Sequence, residues 1–163
     1  MRYTDAVFRF DSHWLSEKPS GSFSVQRDVR LQEVDAAGIV FFARMFEYVS
    51  DTFVAFCRHH DVPLAEALRL RRWGAPLRHV EADYLNPLRF GDRLDIALVG
   101  AHIESTQVML GYRLALLPND VVATLVQTLH VFVDGQTFER REIPEEDRRA
   151  LSTSCRLWPA QDS

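Results

Sequence analysis

The sequence predicts an α+β fold in which one antiparallel sheet of about five strands wraps around one long central helix. Three observations carry this reading. Residues 40–63 repeat apolar side chains at three- and four-residue spacing, the period of a helix with one buried face. Five other stretches read as strands by alternation or by β-rich composition. The later strands are separated only by turn-length connections, which suit antiparallel neighbours and are too short for parallel crossovers.

The elements follow in order. Residues 1–22 read as an extension, with SEKPSGS (16–22) a linker by composition. From Phe23 the side chains of Phe23, Val25, Arg27, Val29 and Leu31 oppose Ser24, Gln26, Asp28 and Arg30, which is a strand. Glu33 to Gly38 is a loop. In the long helix Phe42, Met45, Phe46, Val49, Phe53, Phe56 and Cys57 form a thick aromatic face, and Val62-Pro63 stops it. LAEALRLRR (64–72) predicts a short helix and Trp73-Gly74-Ala75-Pro76 a turn. Strands are expected at 77–86, 93–104, 106–117 and 121–134, with Leu117-Pro118-Asn119-Asp120 as a hairpin turn. PEEDRRAL (144–151) predicts a short helix with Pro144 near its start, and the tail from Ser152 is expected to be loose. The domain thus spans 23–151, with a C-terminal tail over 152–163. A Phe-rich helix buries one face of the sheet; the other face and the edges then need cover, and a second copy of the chain would provide it.

Composition narrows the function classes. The 163 residues make one domain, and 47% apolar with 26% charged residues exclude a disordered or fibrous chain. The net charge of 19 − 23 = −4 gives no global field for holding nucleic acid. The longest apolar run, Ile39 to Ala43, is far too short to span a membrane as a helix. MRYTDAVFRF lacks the charged-then-apolar pattern of a secretory leader, with Asp5 where its apolar core would stand, so a cytoplasmic setting is expected. Cys57 and Cys155 lack the spacing of a zinc site or disulfide framework and are expected as free thiols.

The stretch Glu33-Val34-Asp35-Ala36-Ala37-Gly38-Ile39-Val40-Phe41-Phe42 sets an acid in a loop just before an apolar helix. Gly38 permits a left-handed turn or a close backbone approach. A helix start offers unpaired N–H groups and a positive dipole end. An acid beside such donors, walled by Ile39, Val40, Phe41 and Phe42, has the parts of an acyl-transfer site. The N–H groups would stabilise an oxyanion, and the carboxylate would attack the carbonyl or activate water. The simpler reading is that Asp35 only makes a turn or caps the helix.

The string VDAAGIVFFARMFEYVSD (34–51) resembles the Asp-x-x-Gly-hydrophobic-Val-[Phe/Tyr]-[Phe/Tyr] motif of hot-dog fold acyl-CoA thioesterases, nearest to the 4-hydroxybenzoyl-CoA thioesterase-like group. A second stretch, Ala75-Pro76-Leu77-Arg78-His79-Val80-Glu81-Ala82-Asp83-Tyr84 running on to Pro87-x-x-x-Gly91-Asp92-x-Leu94, resembles that group's second block. It lies about 40 residues on, in the right order. The resemblance covers roughly residues 23–145. It implies that Asp35 is the catalytic carboxylate, that the backbone N–H of Phe42 is the oxyanion donor, and that Gly38 keeps the path to the helix end open. The group often carries Tyr where Phe42 stands, and only a backbone role survives that change.

Val40 and Phe41 are expected to line the acyl site, with His79 bordering it. Arg89, Arg140 and Arg141 are the candidates for coenzyme A phosphates; as plainly, they read as a solvated rim. His79 and His130 also read as packed residues with one hydrogen bond each. His59 and His60 are explained by a helix C-terminus. His79-x-Glu81 lacks a third ligand, so no metal is expected. Glu47 and Asp51 are the fallback acids, Glu81 is another spare carboxylate, and Cys57 on the aromatic face is not a convincing nucleophile. The aromatic walls suit an aryl group such as hydroxybenzoyl or dihydroxynaphthoyl, and also a medium aliphatic chain. The expected protein is a homodimer or homotetramer that hydrolyses an acyl-CoA. It would need no cofactor beyond the coenzyme A of its substrate and would bind neither nucleic acid nor membrane. A non-catalytic acyl-CoA sensor is the alternative. A hydratase is disfavoured because Val40 stands where an Asp-x-x-x-x-His segment needs His.

Overall fold

A computed structural model describes residues 8–158; the first seven residues of the expected extension, Asp5 among them, and the last five of the expected tail lie outside the described residues. The elements are α1 (Ser12–Ser16), β1 (Ser24–Asp28), a 3₁₀ turn (Leu31–Glu33), α2 (Arg44–His59), α3 (Leu64–Arg69), β2 (Trp73–Gly74), β3 (Leu77–Tyr84), β4 (Arg93–Ile103), β5 (Gln107–Leu116), β6 (Val121–Val131), β7 (Val133–Asp134), α4 (Glu145–Ser154) and β8 (Arg156–Leu157). Five strands form an antiparallel sheet in the order β1-β4-β5-β6-β3, and β8 joins β4 in parallel as a sixth. The sheet curls around α2.

The helix starts four residues later than its apolar period suggests. Val40 is held by the carbonyl of Leu88 at 2.8 Å and bridges Val34, so the backbone stays non-helical until Ala43. The stripe that α2 buries is Met45, Tyr48, Val49, Thr52, Phe56 and Cys57. Phe46 and Phe53, expected in the same face, are only partly buried on its shoulder. The stripe packs on Leu94, Ile96, Leu98, Leu110, Tyr112 and Leu114 of the inner sheet face. Each such side chain contributes about 2 kcal/mol of burial.

β4 is buried continuously from Leu94 to Ala101, so both faces of the sheet are covered there. The sequence assigns the outer cover to a second copy; the chain's own residues 8–16 provide it. Phe10 and Leu15 are buried against Ala97, Val99, Met109, Leu125 and Leu129. Gly100 and Gly111 make room for them: a Cβ at Gly100 would stand 2.2 Å from the Trp14 ring, and one at Gly111 2.3 Å from Leu15. The Gln127 side chain clamps Phe10, accepting from its N–H at 2.7 Å and donating to its carbonyl at 3.1 Å. Arg113, buried in the sheet, donates to the carbonyl of Ser16 at 2.8 Å, and Arg156 stacks over the Trp14 ring. Residues 8–16 of the expected extension are therefore a docked strap.

Two further expectations change. Trp73-Gly74 is a two-residue strand paired with Val133 and Asp134, not a turn. The tail from Ser152 to Leu157 is regular structure, because α4 runs to Ser154 and β8 pairs with Gly100 and Ala101. Among the described residues no helix is long and apolar enough to cross a membrane.

In α4, Asp147 sits in the first turn beside Glu145 and Glu146, where a helix dipole favours acids. Its carboxylate is nonetheless buried, and one oxygen has no partner. Burial, helped by the charge of Glu146, pushes its pKa up to about 7. The folded state therefore holds this proton more tightly than the unfolded state. The stabilisation is present at low pH and is lost as pH rises toward 7. Asp147→Asn should gain about 2 kcal/mol relative to wild type between pH 5 and pH 8, read by denaturant unfolding at both pH values. An unchanging difference would show that Asp147 does not titrate there.

Candidate active site

The loop carrying Asp35 is tied down by the residue two before it. Glu33 is buried; its carboxylate accepts from the N–H of Arg30 and the hydroxyl of Tyr48, each at 2.8 Å, and pairs with Arg27 of β1. Its carbonyl accepts from the N–H of Phe41 at 2.9 Å. Burial raises the Glu33 pKa, but the Arg30 N–H, the Tyr48 hydroxyl and the charges of Arg27 and Arg30 outweigh it and leave the group below its ordinary value. Strand, turn and central helix thus converge on one carboxylate, which sets the position of Val34-Asp35 and Phe41-Phe42.

Within the loop, the N–H of Asp35 donates to the carbonyl of Ile39 at 2.9 Å, and that of Gly38 to the carbonyl of Asp35 at 3.0 Å. Gly38 has φ +75°, a left-handed conformation that favours glycine. A Cβ there would meet nothing within 4 Å, so what the glycine supplies is the turn. Gly38 itself is not among the residues lining the cleft described below.

One oxygen of the Asp35 carboxylate accepts from the N–H of Ala37 at 2.8 Å, the turn-forming contact of the simpler reading. The residue is also exposed, and it lines a cleft of about 350 Å³. Ile39, Val40, Phe41, Phe42 and Met45 form one wall, and Tyr84 to Leu88 with Thr124 form the other. Phe41 and Phe42 expose about half of their surface. Among the described residues nothing accepts from the N–H of Phe42, which leaves it free at the N-terminal end of α2. Turn and cleft positions therefore coexist at Asp35: one oxygen shapes the loop, and among the described residues the other has no hydrogen-bond partner.

Tyr84 is a site residue that the sequence reading passes over. Its hydroxyl donates to the carbonyl of Phe42 at 2.8 Å, pinning the donor segment from across the cleft. Its place at the end of the second quoted block was the available signal.

The other candidates separate by distance. Thr124, at the cleft, pairs with Tyr84, whereas His79 pairs with Leu129, roughly 17 Å along the strands. His79 there faces Glu81 at 3.4 Å. Arg140 bridges Val133, and Arg141 bonds to Phe132 and to the carbonyl of Arg72, so both lie roughly 26–31 Å from Thr124, past the end of β6. Within one chain these three residues do not border the Asp35 cleft. Arg89 follows Leu88 of the cleft wall directly and is exposed. Glu47 is engaged by Arg44 at 2.7 Å, Asp51 pairs with Arg27 at 3.7 Å, and neither lines the cleft. Cys57 and Cys155 are unpaired, and burial pushes each thiol up to about 12. Among the described residues no three His, Cys, Asp or Glu side chains cluster to hold a metal.

The family model of the thioesterase-like superfamily matches residues 29–151. A 1,4-dihydroxy-2-naphthoyl-CoA hydrolase of Nostoc punctiforme is 28% identical over 135 residues, covering 83% of this chain and 90% of its own. One of Synechococcus elongatus is 30% identical over 126 residues, covering 76% and 90%. The crystal structure of a 1,4-dihydroxy-2-naphthoyl-CoA thioesterase from Synechocystis superposes with a TM-score of 0.76 at 21% identity, covering 81% of this chain and 96% of that one. The sheet-around-helix architecture is therefore the hot-dog fold.

Proposed function

The chain belongs to the thioesterase-like superfamily, and on that premise we propose that it hydrolyses an aromatic acyl-CoA thioester to the free acid and coenzyme A. One observation carries the reading: a carboxylate with a free oxygen and an unpaired N–H at a helix start, Asp35 and Phe42, line the same cleft. The thioester carbonyl accepts from the N–H of Phe42, which stabilises the oxyanion as it forms. Asp35 then takes one of two routes. As nucleophile it bonds to the carbonyl carbon; the C–S bond breaks, the thiolate of coenzyme A leaves, and water cleaves the resulting anhydride. As base it takes a proton from a water whose oxygen attacks the same carbon; the C–S bond then breaks and the thiolate of coenzyme A leaves. Both routes use only groups of the chain and water.

The names of the relatives and the aromatic cleft wall support an aryl acyl group. The cavity under α2 that begins at Phe46 is the proposed seat of the ring. Arg89, exposed and adjacent in sequence to Leu88 of the cleft wall, is assigned to the phosphates of coenzyme A. His79, Arg140 and Arg141 are assigned to the cleft of a second copy joined along the open edge of β3, which bears exposed Leu77 and Tyr84. Two unpaired thiols fit a cytoplasmic setting. The test is a panel of aroyl- and alkanoyl-CoA thioesters with free-thiol detection, on wild type and Asp35→Asn. Aroyl turnover that depends on Asp35 supports the reading. Preference for alkanoyl groups replaces the substrate class. Tight binding without turnover replaces the enzyme with a sensor.

A further inference from the structure

The second cavity, about 150 Å³, opens along the same side of α2 as the Asp35 cleft. Its lining starts at Phe46, the residue after Met45 of the Asp35 cleft. A cavity of this size holds a benzene ring. Phe46, Val49, Phe53 and Val80 make its walls mainly apolar, and Ser50 of α2, Tyr112 of β5, and Thr128 and His130 of β6 place polar groups in it.

The hydrogen positions of that pair follow from its partners. His130 Nδ1 lies 2.9 Å from the carbonyl of Ala75. A carbonyl only accepts, so Nδ1 carries the hydrogen and Nε2 keeps its lone pair. Nε2 lies 3.1 Å from the hydroxyl oxygen of Thr128. The Thr128 hydroxyl therefore donates to the ring, and its hydrogen is spent. The Thr128 oxygen has two acceptor lone pairs; the buried Tyr112 hydroxyl, hydrogen-bonded to Thr128, takes one, and the other is open to a ligand. The ring of Phe53 stacks on His130 at 5.6 Å and 13°, which fixes the imidazole plane. Thr128 itself is buried, so a group that meets it has left water behind. Burial also lowers the pKa of His130, which keeps the ring in this neutral form.

We propose that Thr128, oriented by His130, selects acyl groups whose ring carries a hydroxyl, by accepting that hydroxyl's hydrogen bond. The inference rests on thioester hydrolysis at Asp35 and on the ring seat assigned above. It excludes isosteric rings that cannot donate. Thr128 is the specificity-determining residue and His130 a positioning residue.

The experiment compares 2-, 3- and 4-hydroxybenzoyl-CoA with the matching fluorobenzoyl-CoA thioesters, reading kcat/KM by thiol release. Fluorine approximates the hydroxyl in size and lacks its hydrogen. Wild type should favour at least one hydroxy isomer over its fluoro partner by about tenfold, the worth of one net hydrogen bond. Thr128→Val should bring that ratio to within about twofold, and Thr128→Ser should restore it. A ratio within one variant is insensitive to the fraction of protein folded. No preference in wild type, or a preference that survives Thr128→Val, overturns the proposal. If no thioester is turned over, the hydrolase reading fails separately. The pair is then tested by equilibrium binding of the same thioesters to Asp35→Asn with and without Thr128→Val. A hydroxyl preference lost with Thr128 supports the proposal there, and its absence overturns it.

Discussion

Replacing Asp35 by asparagine should lower kcat for aroyl-CoA hydrolysis by at least about a hundredfold, or about 2.7 kcal/mol of transition-state stabilisation, while KM changes little. Asparagine keeps an oxygen to accept from the N–H of Ala37, so the loop and its turn persist. It cannot take a proton from water or attack a carbonyl at neutral pH, so both routes stop. On the proposed mechanism the N–H of Phe42 would still polarise the thioester, and this would set the residual rate. Steady-state thiol release on both proteins measures the effect. A loss smaller than tenfold would remove Asp35 from the chemistry. Glu47 and Asp51 would be poor replacements, because salt bridges to Arg44 and Arg27 hold them away from the cleft.

The second large effect is structural. Glu33→Ala should destabilise the fold by about 3 kcal/mol, because it strands the Arg27 guanidinium and the Tyr48 hydroxyl around an emptied site. For a chain of this size that lowers Tm by roughly 6–12 °C, checked by thermal unfolding. The pH dependence follows from the lowered pKa of Glu33. The unfolded state binds this proton more readily than the folded state. The stabilisation is present above the ordinary glutamate value of 4.5 and is lost as pH falls below it through the folded value. Wild type should lose stability in that range faster than Glu33→Gln. Parallel curves would show that the carboxylate charge contributes nothing.

Most of the architecture was legible in the residues, and so was the loop that bears Asp35. Periodicity and β-rich composition depend on neighbours in sequence, and they locate β3 to β6 and the body of α2. The misreadings involve distant partners. Nothing near Val40 announces that Leu88 will hold its N–H and delay the helix. An aromatic stripe does not distinguish Tyr48, which is fully buried with its hydroxyl on Glu33, from Phe46 and Phe53, which wall a cavity. Arg140 and Arg141 follow the last long strand in sequence, and only the direction of β6 shows that they emerge at the end remote from Thr124. The segment around Trp14 mixes aromatic and polar residues without a period, and the glycines that receive it stand in β4 and β5.

That docked segment bears on how the protein is best produced. The family match begins at residue 29, which invites trimming of the first 22 residues in a recombinant chain. Such trimming would strip Phe10 and Leu15 from the sheet and turn Ala97, Val99, Met109, Leu125 and Leu129 toward solvent. The shortened chain should bind a hydrophobic dye and precipitate, or stick to itself back to back, while the full chain stays clear. The folding unit would then begin upstream of the homologous one.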